Sequence, residues 1–157
     1  MVCVDAGATN AAVFFYGGHM YETVSSAVSW SAAVSSSTAS RYGAAVGYLA
    51  SIESDAENAA VISQSGSGEF WIGATDSSNP GTFVWVGGAA SGAQLSYADW
   101  AVGQPDELPS RTCVYVSAKK GWNDDLCNIT RAYLVEYACD AGFSFTYDGL
   151  TCLGLSN

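Results

Sequence analysis

The residues able to do chemistry are few, and their types narrow the field. The chain holds a single histidine, His19, and five cysteines. A Ser/His/Asp nucleophile set needs a histidine held against the serine. His19 follows the turn pair Gly17-Gly18 and has no Cys or His partner at metal-binding spacing, so it reads as a surface residue. Phosphate-cradling and dinucleotide glycine patterns are absent, and an enzyme is not expected. What the sequence offers instead is acid: 15 Asp and Glu against 5 Lys and Arg, a net charge of −10. Nucleic acids and anionic membranes attract clustered Lys and Arg, so neither is an expected partner, whereas a cation such as calcium is compatible. No run of 18 apolar residues is present to span a membrane. Met1-Val2-Cys3-Val4-Asp5 lacks the basic region and apolar run of a signal peptide, so the expectation is a removed signal or a segment of a longer chain. Cysteines among few charges suggest an oxidising compartment. Their odd number leaves one thiol free or paired to another chain. Asn128-Ile129-Thr130 is a glycosylation sequon, which has meaning in a secreted protein.

These residues must be positioned by a fold. With 157 residues the chain is one domain with short appendages, long enough to bury a core without metals or staples. Residues 11–16 read as a strand followed by the Gly17-Gly18 turn. From Ser29, a plausible N-cap, to about Ser40 the pattern is helical, with Trp30, Ala33 and Val34 on one face. Its serines make it a mediocre helix that needs tertiary packing. A short apolar segment, residues 48–52, precedes Ser54-Asp55-Ala56-Glu57, a capping box opening a second helix to about Ser63. Phe70-Trp71-Ile72-Gly73 reads as a buried strand. Residues 74–111 are rich in Gly, Ser, Asn and Pro with isolated aromatics, and a loop that long is generally functional or anchored. Cys113–Val116, a segment at Trp122 and Arg131–Tyr137 read as strands, with a turn at Lys119-Lys120-Gly121. Helices followed by a loop-rich antiparallel region give an α+β order.

Trp30-x-x-Ala33, Leu49-Ala50-Ser51-Ile52, Glu57-Asn58, Trp71-Ile72-Gly73-Ala74-Thr75-Asp76, Trp85, Trp100, Gln104-Pro105-Asp106, Cys113, Trp122-Asn123-Asp124, Cys127 and Cys139 occur in this order. The ordered set resembles the C-type lectin-like domain, over roughly Tyr16 to Cys139. The resemblance implies the C-type lectin fold: two helices flanking small antiparallel sheets, the terminal strands paired at the base, and a long loop region. It sets the division at 1–15 for an N-terminal extension, 16–139 for the domain and 140–157 for a cysteine-containing tail. That tail looks like a fragment of an epidermal-growth-factor-like module.

What the resemblance implies for function is an extracellular, secreted, Ca2+-dependent carbohydrate-binding module. The matching residues Gln104, Asp106, Asn123 and Asp124 would bind the principal calcium, and that ion two adjacent sugar hydroxyls. Calcium takes six to eight oxygens; here two amide carbonyls and two carboxylates are on offer. Pro105 suits a cis bond, which costs little before proline and which the family typically has. A sugar hydroxyl both donates and accepts, so an amide in the first position changes the pattern around the ion. Gln-Pro-Asp leans to galactose or N-acetylgalactosamine. Two departures stand out. The segment Glu107-Leu108-Pro109-Ser110-Arg111 has no aromatic ring to stack on the sugar. Arg111 also stands where the family usually has a glutamate ligand. An arginine there opposes calcium and could replace it by pairing with Asp106 or Glu107, while Glu107 is the candidate for the missing acid ligand. An auxiliary calcium site at Asp76 is not expected, and Asp76 reads as a solvated turn residue.

The resemblance also pairs Cys113 with Cys127. The family's second bridge has no partner in the first helix, which carries Ser35-Ser36-Ser37, so Cys139 is left to choose between Cys3 and Cys152, with a lean to Cys152. Trp71, Trp85, Trp100 and Trp122 read as core rather than ligand platforms. The competing function is a metal-independent structural or adhesive module that binds neighbouring protein modules or self-assembles in a matrix or fibre. Ice binding would need a flat Thr-rich array, which is not seen.

Overall fold

The computed structural model describes residues 11–43, 45–106, 108–138, 143–145 and 152–154. The chain opens with a hairpin of β1 (Ala11–Tyr16) and β2 (His19–Val28), in register from Ala11↔Val24 to Tyr16↔His19. Gly17 and Gly18 turn it with φ of 59° and 84°, backbone angles that cost glycine little. Thus β1 lies in the stretch assigned by sequence to the N-terminal extension, and it is part of the main sheet. The ten residues of β2 have no counterpart in the sequence reading. Its Ser25-Ser26 half is exposed and breaks the apolar pattern that would announce a strand.

Helix α1 (Trp30–Ala39) is capped by Ser29, whose Oγ accepts from the Ala32 N–H. After β3 (Arg41–Tyr42) and β4 (Ala45–Leu49) comes α2 (Asp55–Ser65). Its N-terminus works as a reciprocal box: Ser54 Oγ accepts from the Glu57 N–H at 3.1 Å, and the Glu57 carboxylate reaches back to the Glu53 N–H at 2.6 Å. The remaining main strands are β5 (Glu69–Thr75), β6 (Val84–Trp85), β7 (Arg111–Ser117), β8 (Gly121–Leu126) and β9 (Arg131–Ala138). β10 (Phe143–Phe145) and β11 (Cys152–Gly154) form a separate antiparallel pair.

All nine main strands join one sheet with the order β1-β2-β9-β5-β7-β8, and β4 also pairs with β9. The second and last main strands therefore meet, with Met20 of β2 opposite Tyr137 of β9. β5 runs parallel to β9, through Phe70↔Ala132 and Trp71↔Tyr133, and every other pairing is antiparallel.

Burial follows the large aromatics. Trp71, Trp85 and Trp122 are almost wholly removed from water, while Trp100 packs partly exposed against the cluster that holds Trp85 and Trp122. Two of the buried indole N–H groups have acceptors within the fold: Trp71 donates to Val28 O and Trp122 to Asn58 Oδ1. Trp30 donates to Ile72 O and so pins α1 to β5. Gly73 is fixed by space, since a Cβ there would stand 2.4 Å from Leu49 O. Asp76 departs from its sequence reading. It is 5% exposed, and its Oδ2 accepts from the Gly81 N–H at 2.8 Å, closing the turn after β5 from inside rather than sitting in solvent.

Candidate functional site

The long loop between β6 and β7 is anchored to the rim of the sheet before it presents any polar group. The Trp122 N–H donates to Asp99 O at 2.7 Å and the Ala101 N–H to Trp122 O at 2.8 Å, so the loop runs beside β8. Gly121 makes that approach possible: a Cβ there would meet Asp99 O at 2.8 Å, and its φ is 89°. Trp100 and Trp122 stack edge to face, with Phe83 and Tyr97 around them. Asn58 on α2 ties this floor together, accepting from Trp122 Nε1 at 2.9 Å and donating to Asp99 Oδ2 at 3.0 Å.

On this floor the Gln104–Pro105 bond is cis. It turns Gln104 and Asp106 toward β8, where the Asp106 N–H donates to Asp124 Oδ1 at 3.0 Å and the Asp124 N–H donates to Gln104 Oε1 at 3.4 Å. Asn123, 9% exposed, donates from Nδ2 to Gly121 O at 3.0 Å, and Asp124 is 2% exposed. Gln104, Asp106 and Asp124 thus come together from two segments 18 to 20 positions apart, whereas Asn123, next to Asp124 on β8, directs its amide to Gly121 O. Glu107, the fifth candidate, lies outside the described residues, as do Cys3 and Cys139; Cys152 begins β11, and its pairing is likewise outside what is described. Cys113 and Cys127 are bonded, with a Cα–Cα distance of 5.3 Å, closing β7 to the turn after β8. Cys127 O in turn accepts from the Trp30 N–H, which fastens α1 to the same turn. Asn128 is exposed in that turn.

Arg111, the first residue of β7, enters the cluster. Its Nη1 is 2.6 Å from Asp106 Oδ2, and its Nε is 3.9 Å from Asp125 Oδ1. The other Asp106 oxygen, Oδ1, accepts from the Leu108 N–H at 3.2 Å. Asp125 is shared with Arg131, whose Nη2 stands 2.6 Å from Asp125 Oδ2 while its Nε reaches Glu69 Oε2 at 3.2 Å. The Arg131 guanidinium also lies 3.8 Å from the Tyr115 ring centre. Burial alone would raise the Asp125 carboxyl. The Arg131 hydrogen bond, the Leu126 N–H and the two arginine charges outweigh it and hold Asp125 below the usual carboxylate range.

A second polar cluster sits under the hairpin. Glu136, on an otherwise apolar stretch of β9 and 1% exposed, accepts from Tyr48 Oη at 2.6 Å and from the Ser51 N–H at 3.0 Å, and is paired with His19 Nδ1. The neighbouring Glu57 accepts from Tyr21 Oη. His19, Glu57 and Glu136 bring ligand atoms within 4.8 Å of one another. The hydrogen bond to Glu136 raises the His19 pKa above 6.5, against the opposing effect of burial. Desolvation raises Glu57. Sequence reasoning placed His19 on the surface without a partner. The signal that could have found the cluster is Glu136 itself, a charged residue at an inward position of an apolar strand.

The fold and this loop define a known class. The Lectin C-type domain model matches residues 17–137, and the chain belongs to that family. Halomucin from Haloquadratum walsbyi is 30% identical over 132 residues, which are 76% of this chain and 1% of that protein. The alpha-N-acetylgalactosamine-specific lectin of Patiria pectinifera is 31% identical over 101 residues, 58% of each chain. This chain therefore spans under two thirds of the length of both relatives. A calcium-independent type II antifreeze protein shares the fold with a TM-score of 0.70 at 21% identity, covering 88% of this chain and 96% of that one.

Domains of this family usually bind Ca2+. In the arrangement seen here, most of the described donor oxygens are held by protein partners rather than left open to the ion. Calcium wants six to eight oxygens free to point at it. Both Asp106 oxygens, Asp124 Oδ1 and Gln104 Oε1 already accept protein hydrogen bonds. A guanidinium stands against Asp106 as well. Two unit charges 4 Å apart at an effective dielectric of about 20 interact by roughly 4 kcal/mol, a ceiling here because Arg111 is 39% exposed.

Proposed function

We propose that the chain is an extracellular, secreted carbohydrate-binding module of galactose type. It would take adjacent hydroxyls of a sugar at the face of Gln104, Asp106, Asn123 and Asp124. The observation that carries this reading is that Gln104, Asp106 and Asp124 meet across the two segments, with Asn123 beside Asp124 on β8. Each hydroxyl can donate to a carboxylate and accept from an amide N–H, and both kinds of group stand here side by side. Family membership and the name of the Patiria pectinifera lectin support the glycan class and the lean to galactose or N-acetylgalactosamine. A groove of about 230 Å³ beside the face, lined by Phe83, Tyr97, Trp100 and Pro105 among others, offers aromatic carbon to a sugar ring. The Ca2+ that the family implies would first have to draw Arg111 away from Asp106. Asn128, exposed in its turn, is positioned for the N-glycosylation its sequon invites.

The test is retention on immobilised galactose and N-acetylgalactosamine, with glucose as the control. Specific retention is expected. Asn123→Ala and Gln104→Ala should each weaken it about tenfold, the scale of about 1.4 kcal/mol for one lost polar contact. Flow-through on both resins contradicts the reading.

A second reading, a metal-independent module that binds neighbouring proteins or its own copies, is favoured by one observation. Val102 at the loop tip is fully exposed beside the site, with Leu108 48% exposed nearby. Concentration-dependent association in sedimentation, lost in Val102→Ser, would select it. A monomer at all concentrations counts against it.

A further inference from the structure

We propose that Arg111 is the cation of this loop: its guanidinium does the organising work of a bound divalent ion, and the site is built to operate without Ca2+. Four observations converge on it. Asp106 receives the Arg111 Nη1 at 2.6 Å on one oxygen and the Leu108 N–H on the other, so each oxygen is engaged by the loop while keeping a further lone pair for a hydroxyl. Asp124 Oδ1 accepts from the Asp106 N–H, and Gln104 Oε1 from the Asp124 N–H, which locks the two segments to each other by protein donors alone. Asn123 spends its amide N–H on Gly121 O. Arg111 is itself held in place, because Asp125, 3.9 Å from its Nε, is clamped by Arg131, which is largely covered, stacked against Tyr115 and paired with Glu69.

The charges agree with this account. Asp106 and Asp124 would repel across a small gap if neither had a counter-charge. One fixed guanidinium supplies it and, unlike a metal, cannot dissociate or be chelated. A divalent ion entering the same space would meet that positive charge and would have to break the Asp106 pair. The proposal deepens the glycan reading by stating how its site is regulated. It rests on that reading only for the ligand, since the metal test needs no sugar.

The experiment follows the backbone amides of Gln104, Asp106, Asn123 and Asp124 by 15N NMR while Ca2+ alone is added to the full chain, up to ~10 mM, an order above the ~1 mM dissociation constants of weak extracellular modules. These four report the loop separately from any cation drawn to His19, Glu57 and Glu136. The expected result is that they do not shift saturably. Arg111→Glu removes the guanidinium and adds a carboxylate. It should create a saturable Ca2+ response at those amides, with affinity at least tenfold above any response of the unaltered chain. Should Arg111→Glu fail to fold, Arg111→Gln keeps the test decisive: its Asp106 amide should shift from the native position before any metal is added, and should move back toward it when Ca2+ is supplied. Saturable Ca2+ shifts of the four amides in the unaltered chain overturn the proposal. So does an Arg111→Glu chain that folds and remains blind to Ca2+, or an Arg111→Gln chain whose loop amides are unchanged.

Discussion

Asn58 shows how much one polar side chain can hold. It is 4% exposed and serves both the Trp122 indole and Asp99, so the floor of the loop depends on a residue of α2. Asn58→Ala should strip an acceptor from a buried indole N–H and lower stability by about 1–3 kcal/mol, read as a fall in the denaturant midpoint. His19 is a different case, because its contribution depends on pH. Its folded pKa is raised by Glu136, so the stabilisation is complete below the unfolded value of 6.5 and is lost as pH rises through the raised folded value. His19→Gln should therefore be less stable than the unaltered chain at acid pH, with the gap closing above that window. A pH series of thermal midpoints checks this; a gap that widens toward alkaline pH contradicts it. Asp125 runs the other way. Its lowered pKa gives stability above 3.8 that is lost as the solution is acidified further.

At the scale of elements, the loop is secured by covalent and capping devices that local sequence makes visible. The Cys113–Cys127 bridge joins cysteines 14 positions apart in sequence. Reducing it should cost about 3 kcal/mol by the entropy of so short a loop, measured by unfolding with and without reductant. Ser54→Ala removes the acceptor for the Glu57 N–H and should cost α2 about 1 kcal/mol. Both helices, β1, β5 and the strands β7, β8 and β9 were legible because each has an apolar period, a cap or a turn signal of its own, whereas β10 and β11 lie in a tail read only as a cysteine-containing fragment. β2 was not, since only its first half is buried and it takes its identity from pairing with β9, more than a hundred residues away. The four candidate loop residues were singled out through an ordered set of motifs, and their role is a proposal. Asp76 and Glu136 were not legible: what buries a charged residue is the arrangement of its partners, Gly81 in one case and Tyr48, Ser51 and His19 in the other. Arg111 lies between these cases. Its conflict with calcium is readable from charge alone, but its choice of Asp106 and its backing by the Asp125–Arg131 pair require the fold.

At the scale of the whole molecule, the described residues form a nine-stranded sheet with two helices and a small separate strand pair, and the candidate polar face is raised on an aromatic floor. No helix among the described residues is long and apolar enough to cross a membrane. A face that meets a sugar through a few hydrogen bonds holds it weakly, because each net contact contributes about 1 kcal/mol. Tethering copies of the module should raise apparent affinity by 10²–10⁴-fold with no new contact. The central claim is that this face binds galactose-type sugars with Arg111 in the place of an ion. It is tested most directly by chromatography of the full chain on immobilised N-acetylgalactosamine, run once with Ca2+ and once with chelator. The account predicts equal retardation in both buffers and release by free galactose. Passage unretarded through both, or retardation that vanishes with the chelator, would contradict it.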